Sequence, residues 1–232
     1  MFKTASFEKR ERGLRTGLRS LDRLLQIGSG IITLRSPSAQ WLSHLASSMI
    51  VRNHQPGSES LYMHWVDYHK RFWTVDFDRM SRLAKRLNAD VNSIMDSVYF
   101  VRMFSRDCTE VEENWNRIYE FGDRGMNLVV LDSVSELYEM KGKGKNWRGS
   151  ARGRTYSINR FVKLCMMNDC PGIILDSSRK PIHPYLGEVS SIILDFFFRD
   201  RVLVNVIKHP CMINSAVELT RNPDPSLKRW LS

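Results

Sequence analysis

Short apolar segments that alternate with helical patterns constrain the fold of this chain more than any other feature. Residues 128–131 are the clearest example, because they are apolar at every position and end at Asp132. A strand that is apolar on both sides must be covered on both faces, which is typical of parallel sheets flanked by helices. The sequence therefore predicts an α/β fold with a mostly parallel central sheet and helices on both faces.

The same alternation continues along the chain. Fully apolar or alternating runs predict strands, and apolar residues three or four positions apart predict helices. The predicted strands are residues 31–34, 61–65, 98–104, 128–131 and 173–175. The predicted helices are residues 18–25 with Thr16 as cap, a helix from residue 77 with Asp76 as cap, 111–119 and 157–167. Residues 192–198, 202–207 and 216–219 form strands joined by short turns, which predicts an antiparallel extension at the C-terminal edge.

The length, net charge and cysteine spacing of the chain limit the classes of function that it can have. The chain has 232 residues and a formal charge of +10, which fits one core domain and favours a polyanionic partner such as nucleic acid. Its apolar runs fall short of the ~18 residues that span a bilayer, so no membrane association is expected. The four cysteines have no CxxC or zinc spacing, and we expect them to be reduced thiols in a cytosolic or nuclear protein.

Three segments are informative when they are taken in order. They are residues 16–22, TGLRSLD; residues 128–138, which begin with the apolar strand that ends at Asp132; and residues 148–164, which begin with an arginine-rich stretch. In this order they resemble the TGxxxLD motif, the Walker B strand and the arginine-rich loop with its following helix in the catalytic core of the RecA/RadA-type recombinases, in their archaeal and eukaryotic branch and its paralogues. The resemblance implies a core-only paralogue with a RecA-like fold, in which residues 1–15 are an arm or linker and residues 16–232 are the core.

The segment in the position of the family's phosphate-binding loop lacks the chemistry that binds ATP. Such a loop needs glycines that let backbone N–H groups approach the phosphates, a lysine for phosphate charge and a hydroxyl for magnesium. The residues at the family's positions are Arg35, Ser38 and Gln40 for the glycines, Trp41 for the lysine and Leu42 for the hydroxyl. We therefore expect neither ATP hydrolysis nor a bound cofactor or metal.

Asp132 is the one residue of the ATPase machinery that the resemblance retains. The catalytic glutamate position falls at residues 65–66, with Asp67 one residue away, and the position of the phosphate-sensing glutamine falls at Ser178. Without the loop, Asp132 has two interpretations. It caps the turn after its strand, or, together with Ser133, it belongs to a former nucleotide face that now binds a partner protein.

The N-terminal arm carries a second resemblance. Residues 2–5, FKTA, match the family's FxxA oligomerisation motif, which lies in a linker before the core. An extended arm can add main-chain hydrogen bonds to the edge of a neighbour's sheet while Phe2 and Ala5 fill apolar pockets. The resemblance thus predicts Phe2 and Ala5 as partner-binding residues; the alternative is an N-terminus in which the phenylalanine is incidental.

Residues 141–154 form a basic, glycine-rich segment without an acidic residue. Lysine and arginine neutralise phosphates, and an aromatic ring can stack on a base. In the resembled family this stretch corresponds to the first DNA-facing loop. The expected nucleic-acid contacts are Lys141, Lys143, Lys145, Trp147, Arg148, Arg152 and Arg154. The alternative is a solvated loop with ordinary positive charges.

Together these expectations describe a non-catalytic recombinase paralogue that acts as an accessory or mediator in homologous recombination DNA repair. It would pair as a heterodimer with a recombinase or another paralogue, and modulate the recombinase filament on single-stranded DNA. Two alternatives stay open: a degenerate ATPase that shares a nucleotide site with a partner, and a negative regulator that blocks recombinase polymerisation. The expected location is the nucleus, or the cytoplasm if the chain is archaeal.

Overall fold

One mixed sheet of eight strands runs through the residues that the computed structural model describes. Those residues are 13–26, 30–66, 76–104, 108–121, 125–134, 151–178, 180–198, 202–212 and 215–219. The strands are β1 (Ile31–Arg35), β2 (Glu59–Val66), β3 (Val98–Phe104), β4 (Met126–Asp132), β5 (Gly172–Asp176), β6 (Ser190–Phe198), β7 (Val202–Lys208) and β8 (Ser215–Glu218). Their order across the sheet is β3-β2-β4-β5-β1-β6-β7-β8.

The direction of the strands confirms the predicted fold class. Strands β3, β2, β4, β5, β1 and β6 are parallel to one another. Strands β7 and β8 are antiparallel to their neighbours and form the C-terminal edge. The chain is therefore an α/β protein with a mostly parallel sheet and a short antiparallel extension.

Seven helices lie in the described residues. They are α1 (Arg19–Leu24), α2 (Ala39–Asn53), α3 (Phe77–Arg86), α4 (Val91–Asp96), α5 (Cys108–Phe121), α6 (Ala151–Met167) and α7 (Pro184–Val189). Helices α4 and α7 were not predicted, because six residues are too few for a helical period to stand out in the sequence. Helix α6 begins at residue 151 rather than 157, and the Asp76 cap of α3 is confirmed by its hydrogen bond from the Arg79 N–H.

The predicted Thr16 cap of the first helix is wrong in its details. Helix α1 begins at Arg19, and Thr16 closes a loop ahead of it instead. The hydroxyl of Thr16 accepts from the Leu18 N–H at 3.0 Å and donates to the Asp22 carboxylate at 2.6 Å. Gly17 has a φ of +88°, and a Cβ there would lie 2.4 Å from the Arg52 guanidinium. The Thr-Gly pair and the aspartate of this segment thus form one locally closed turn.

The core has two hydrophobic clusters, one on each face of the sheet. Leu128 and Val130 of β4 belong to the first cluster, whereas Val129 and Leu131 belong to the second. This alternation follows from the period of two along a strand. Helices α1 to α4 contribute to the first cluster, and helices α5 to α7 to the second. Among the described residues, no helix is both long and apolar enough to cross a bilayer.

Candidate functional site at the carboxyl ends of the parallel strands

The carboxyl ends of β1, β2, β4 and β5 meet at one edge of the sheet. After β2 the chain leads to α3 on the face of the first cluster, and after β4, which is the neighbour of β2, it leads to α6 on the face of the second. Strands whose following helices diverge to opposite faces leave a crevice between them, and open α/β sheets bind ligands at such a place. Asp132 ends β4 at this crevice.

Asp132 is buried and hydrogen-bonded to three side chains of the same chain. Its Oδ2 accepts from the hydroxyl of Ser43 at 2.8 Å and from the phenol of Tyr62 at 2.5 Å. The Nδ1 of His64 lies 3.3 Å from the same oxygen. Ser43 comes from α2, whereas Tyr62 and His64 lie two residues apart on β2 and so share one face of the strand. The carboxylate therefore ties α2, β2 and β4 together.

Burial and the neighbouring charge keep Tyr62 protonated. The pKa of the Tyr62 phenol is raised well above its usual value, first by burial and then by the charge and hydrogen bond of Asp132. A protonated phenol is a donor, and a hydrogen bond to a carboxylate is stronger than one between neutral groups. The geometry and the electrostatics thus agree that Tyr62 donates and Asp132 accepts.

Arg35 forms a second buried network beside the first. Its Nε donates to Asp176 at 3.1 Å and its Nη1 to Asp195 at 3.1 Å, and its Nη2 donates to the carbonyl of Lys180 at 2.5 Å. Arg35 ends β1 and is paired in register with Asp176 of β5 and Asp195 of β6. Burial raises the pKa of Asp195, Arg35 lowers it and Asp176 raises it. The guanidinium therefore balances two carboxylates on the adjacent strands, Asp176 at the end of β5 and Asp195 within β6.

Three backbone N–H groups at the turn between β1 and α2 donate within the chain. The N–H of Ser36 donates to the Asp176 carbonyl at 3.1 Å, and that of Ser38 donates to the Ser36 hydroxyl at 3.1 Å. The N–H of Trp41 donates to the Ser38 hydroxyl at 3.2 Å, which caps α2. A phosphate-binding loop needs such N–H groups to point at the ligand.

Trp41, at the family's lysine position, is a core residue. Its side chain is 1% exposed and belongs to the first hydrophobic cluster. Its ring centroid lies 4.5 Å from that of Phe196 and 5.3 Å from that of Phe198. The side chain therefore anchors α2 against β6. Leu42, at the hydroxyl position, is buried in the same cluster.

The structure describes only part of the predicted site. Asp132 and Ser133, 3% and 4% exposed, are buried and joined by a cis peptide bond. Arg152 and Arg154 lie near the start of α6, with side chains outside the described part. The predicted residues that lie outside the described part altogether are Phe2, Ala5, Lys141, Lys143, Lys145, Trp147 and Arg148.

The sequence prediction lacked six side chains of the two networks: Arg35, Ser43, Tyr62, His64, Asp176 and Asp195. Ser43, Tyr62 and His64 precede Asp132 by 89, 70 and 68 residues, and nothing local links them to it. Arg35 was interpreted only as a lost glycine. A signal was nevertheless present: a tyrosine and a histidine on one face of an apolar strand, and an arginine that ends another, need polar partners when buried.

Within the described residues, no cluster of three or more His, Cys, Asp or Glu side chains is arranged to hold a metal ion. No protein-family model matches the chain, and no curated protein matches it.

Proposed function

We propose that this chain is a RecA-like recombinase paralogue that has no ATPase activity and acts as an accessory factor in homologous recombination. It binds a recombinase or another paralogue as a heterodimer and modulates the recombinase filament on single-stranded DNA. The proposal rests on the sequence resemblance and on the side-chain networks at the carboxyl ends of the strands.

The observation that carries the non-catalytic part is the set of hydrogen bonds made within the chain by Asp132 and by the turn between β1 and α2. Magnesium that bridges ATP phosphates is held by carboxylate and hydroxyl oxygens with open lone pairs. Here one oxygen of Asp132 already accepts from Ser43 and Tyr62, with His64 at 3.3 Å. The backbone N–H groups of Ser36, Ser38 and Trp41, after β1, also donate within the chain. This donor set does not fit a magnesium–nucleotide complex.

In this proposal the hydrogen-bond networks of Arg35 and Asp132 have a structural role. Arg35 and Asp132 join strands that a nucleotide would otherwise help to hold together. A paralogue built in this way keeps its fold without ATP and does not follow the nucleotide cycle of its partner. Such a subunit is suited to the end of a filament or to a stable heterodimer.

The arm supplies the contact with the partner in this proposal. Phe2 and Ala5 would enter apolar pockets of a neighbouring subunit while the arm adds to the edge of its sheet. Burial of one phenylalanine contributes about 1.5–3 kcal/mol, which is enough to set the register of a short extended segment. Charge at either position would oppose that burial.

A native pull-down of the full chain with mass spectrometry tests the proposal. The test variant carries Phe2→Glu and Ala5→Glu, and the control carries Phe7→Glu, which places charge in the same arm outside the motif. We expect a recombinase or a paralogue to co-purify with wild type and with the control, and to be lost from the test variant. A recombinase absent from all three samples would overturn the proposed function.

A thermal-shift measurement tests the non-catalytic part separately. A ligand that binds the folded state raises Tm by mass action, so Mg-ATP at millimolar concentration is expected to leave the Tm of the isolated chain unchanged. The co-purified complex should be measured in parallel. A Tm rise in the complex but not in the chain alone would favour a nucleotide site completed by a partner's phosphate loop.

A further inference from the structure

The C-terminal turn of α6 brings two cysteines together. The N–H of Cys170 donates to the Cys165 carbonyl at 3.1 Å, and that of Asp169 donates to the Met166 carbonyl at 3.2 Å. Asp169 has a φ of +47°, in the left-handed region. These two hydrogen bonds and the left-handed residue form a Schellman motif, which places the side chains of its first and last residues in contact. Those residues are Cys165 and Cys170, which we refer to as the thiol pair.

The thiol pair is buried between α6 and the start of β5. Cys165 is 3% exposed and Cys170 is 5% exposed, and both belong to the second hydrophobic cluster. Both are free thiols, and the side chain of Cys165 is hydrogen-bonded to that of Cys170. A Cβ on Gly172 would lie 2.6 Å from the Cys165 sulfur, so β5 packs directly against it. Sulfurs in hydrogen-bond contact need little movement to reach the S–S bond length of about 2.05 Å.

The two sulfurs of the pair have different roles in an oxidation. Burial raises the pKa of Cys165 well above its usual value, and the hydrogen bond and charge of Cys170 raise it further. Cys165 therefore stays protonated and donates, whereas the Cys170 sulfur accepts. A donor beside a sulfur favours negative charge on it, and the thiolate is the form of cysteine that attacks. Cys170 is thus the attacking sulfur and Cys165 the resolving one.

The surroundings of the thiol pair select a small, uncharged oxidant. Met166, 75% exposed, and Met167, 52% exposed, lie in the same turn, and the end of a helix opens locally at little cost. The nearest exposed charges in sequence, Lys163 and Asp169, have opposite signs and give no net attraction for an anionic oxidant. Glutathione disulfide is anionic and also too bulky for a buried pair. Hydrogen peroxide is neutral and close to water in size, so it meets both conditions.

We propose that Cys165 and Cys170 are a redox-modification site, at which hydrogen peroxide converts two reduced thiols into one intramolecular disulfide. The inference goes beyond the proposed function and does not rest on it. The disulfide fastens the last turn of α6 to the segment that leads into β5.

The reaction balances in two steps. The Cys170 sulfur attacks one peroxide oxygen, the O–O bond breaks, and the other oxygen leaves as water with the thiol proton, which gives a sulfenic acid. The Cys165 sulfur then attacks the sulfenic sulfur, the S–O bond breaks, and a second water leaves with the Cys165 proton. The two thiols lose two electrons, and the peroxide is reduced to two waters. A dithiol reductant restores both thiols by exchange.

Peptide mass spectrometry of the full chain tests the inference. The chain is treated with hydrogen peroxide under native conditions, and the remaining thiols are blocked with iodoacetamide in denaturant. Trypsin cleaves after lysine and arginine, so residues 164–179 form one peptide that contains both cysteines. We expect this peptide to lose two hydrogens and both iodoacetamide labels, and dithiothreitol to restore both labels. Oxidation of Met166 in the same peptide adds an oxygen that dithiothreitol does not remove, so it measures the peroxide dose independently.

Cys211→Ser is the matched control, because Cys211 is an exposed thiol outside the pair. We expect it to form the disulfide as wild type does. Cys165→Ser and Cys170→Ser separate the two roles when dimedone, which traps sulfenic acids, is present. Dimedone should label Cys170 in the first variant and leave Cys165 unlabelled in the second. The wild-type measurement decides the proposal even if a serine in the cluster impairs folding.

Three results would overturn the inference. The first is a peptide that keeps two labels after Met166 is fully oxidised. The second is a disulfide that links Cys165 or Cys170 to Cys108 or Cys211 instead. The third is a disulfide that forms only when far-UV circular dichroism shows the chain to be unfolded. Equal dimedone labelling of the two serine variants would overturn the assignment of Cys170 as the attacking sulfur.

Discussion

The phenolic oxygen of Tyr62 and the carboxylate of Asp132 are joined by a hydrogen bond of 2.5 Å in the interior of the protein. Tyr62 is fully buried and Asp132 is 3% exposed. A buried carboxylate is costly unless donors replace the water that it loses. Tyr62, Ser43 and His64 supply those donors, so Asp132 joins adjacent elements of the fold and its charge is satisfied within the chain.

Removal of the phenolic hydroxyl tests this role. Tyr62→Phe should lower the free energy of unfolding by about 1–3 kcal/mol, because a buried charged acceptor loses a donor. Urea unfolding measures it, with Tyr99→Phe as control: the half-buried Tyr99 donates to Glu59 at 3.1 Å. The control should lose about 1 kcal/mol or less. Equal losses in the two variants would mean that Asp132 does not depend on Tyr62.

Arg35→Met should be more damaging than loss of a surface ion pair. Asp176, 1% exposed, and Asp195, half-buried, would lose the cation that balances them. Breaking a buried ion pair on one side costs about 3–5 kcal/mol. Arg82→Met is the control, since the exposed Arg82 lies 4.0 Å from Asp76 and its loss should cost less than about 1 kcal/mol. Comparable urea midpoints for the two variants would contradict the role given to Arg35.

Trp41 offers a direct test of whether this fold accepts a lysine at the position where the resembled family has one. Trp41→Lys should destabilise the fold by at least the ~3–5 kcal/mol of a large-to-small core substitution, because an ammonium would replace a ring packed against Phe196. The variant should gain no Tm shift with Mg-ATP. Met166→Ala is the control, since Met166 is 75% exposed and its truncation should change stability by less than about 0.5 kcal/mol. A folded Trp41→Lys variant whose Tm rises with Mg-ATP would refute the prediction.

His44 should contribute to the pH dependence of stability. Burial lowers its pKa from 6.5 to about 4, with a further decrease from Arg79 and an opposing effect of Asp76. Between pH 6.5 and 4 the unfolded chain binds a proton that the folded chain does not, so stability falls as pH falls through this window. The loss should be about 1–2 kcal/mol, since the side chain is only half-buried.

His44→Gln should remove that component of the pH dependence. Urea midpoints of wild type and variant at pH 7 and pH 4.5 measure it. The difference between the two pH values should shrink in the variant. An unchanged difference would contradict the role given to His44. The carboxyl of Asp195 cannot take over that role, because its raised pKa makes the folded chain the better proton acceptor and so opposes the loss of stability at low pH.

The fold was largely predictable because its elements carry strong local periods. The third strand was predicted at residues 98–104 and is found at Val98–Phe104. Elements too short to show a periodic spacing of apolar residues were not predicted. Helix α4 at Val91–Asp96 is one of them, and it is stabilised by the Asp90 cap and by burial of Ile94. The order of the strands was beyond prediction, because it depends on pairing between distant segments.

The sequence identified Asp132 as a residue of the candidate site, but it did not identify the residues that contact Asp132. Asp132 was identified because it ends a fully apolar strand. Tyr62 and His64 were not, because a polar residue in a strand gives no indication of which distant carboxylate it will meet. Arg35 shows the same limit, since its partners lie 141 and 160 residues away.

The long sequence separation between β1 and its neighbouring strands also affects when the sheet can form. Strand β1 lies in the middle of the sheet between β5 and β6, and so has no neighbour until residues 172–198 have left the ribosome. Pairing across such long stretches of chain is slow, because loop closure precedes any stabilising contact. Strand β1 is thus synthesised early but gains its neighbouring strands late. Until then the nascent chain exposes the apolar residues of β1. The apolar residues of β1 therefore stay without a strand partner until most of the chain has been synthesised.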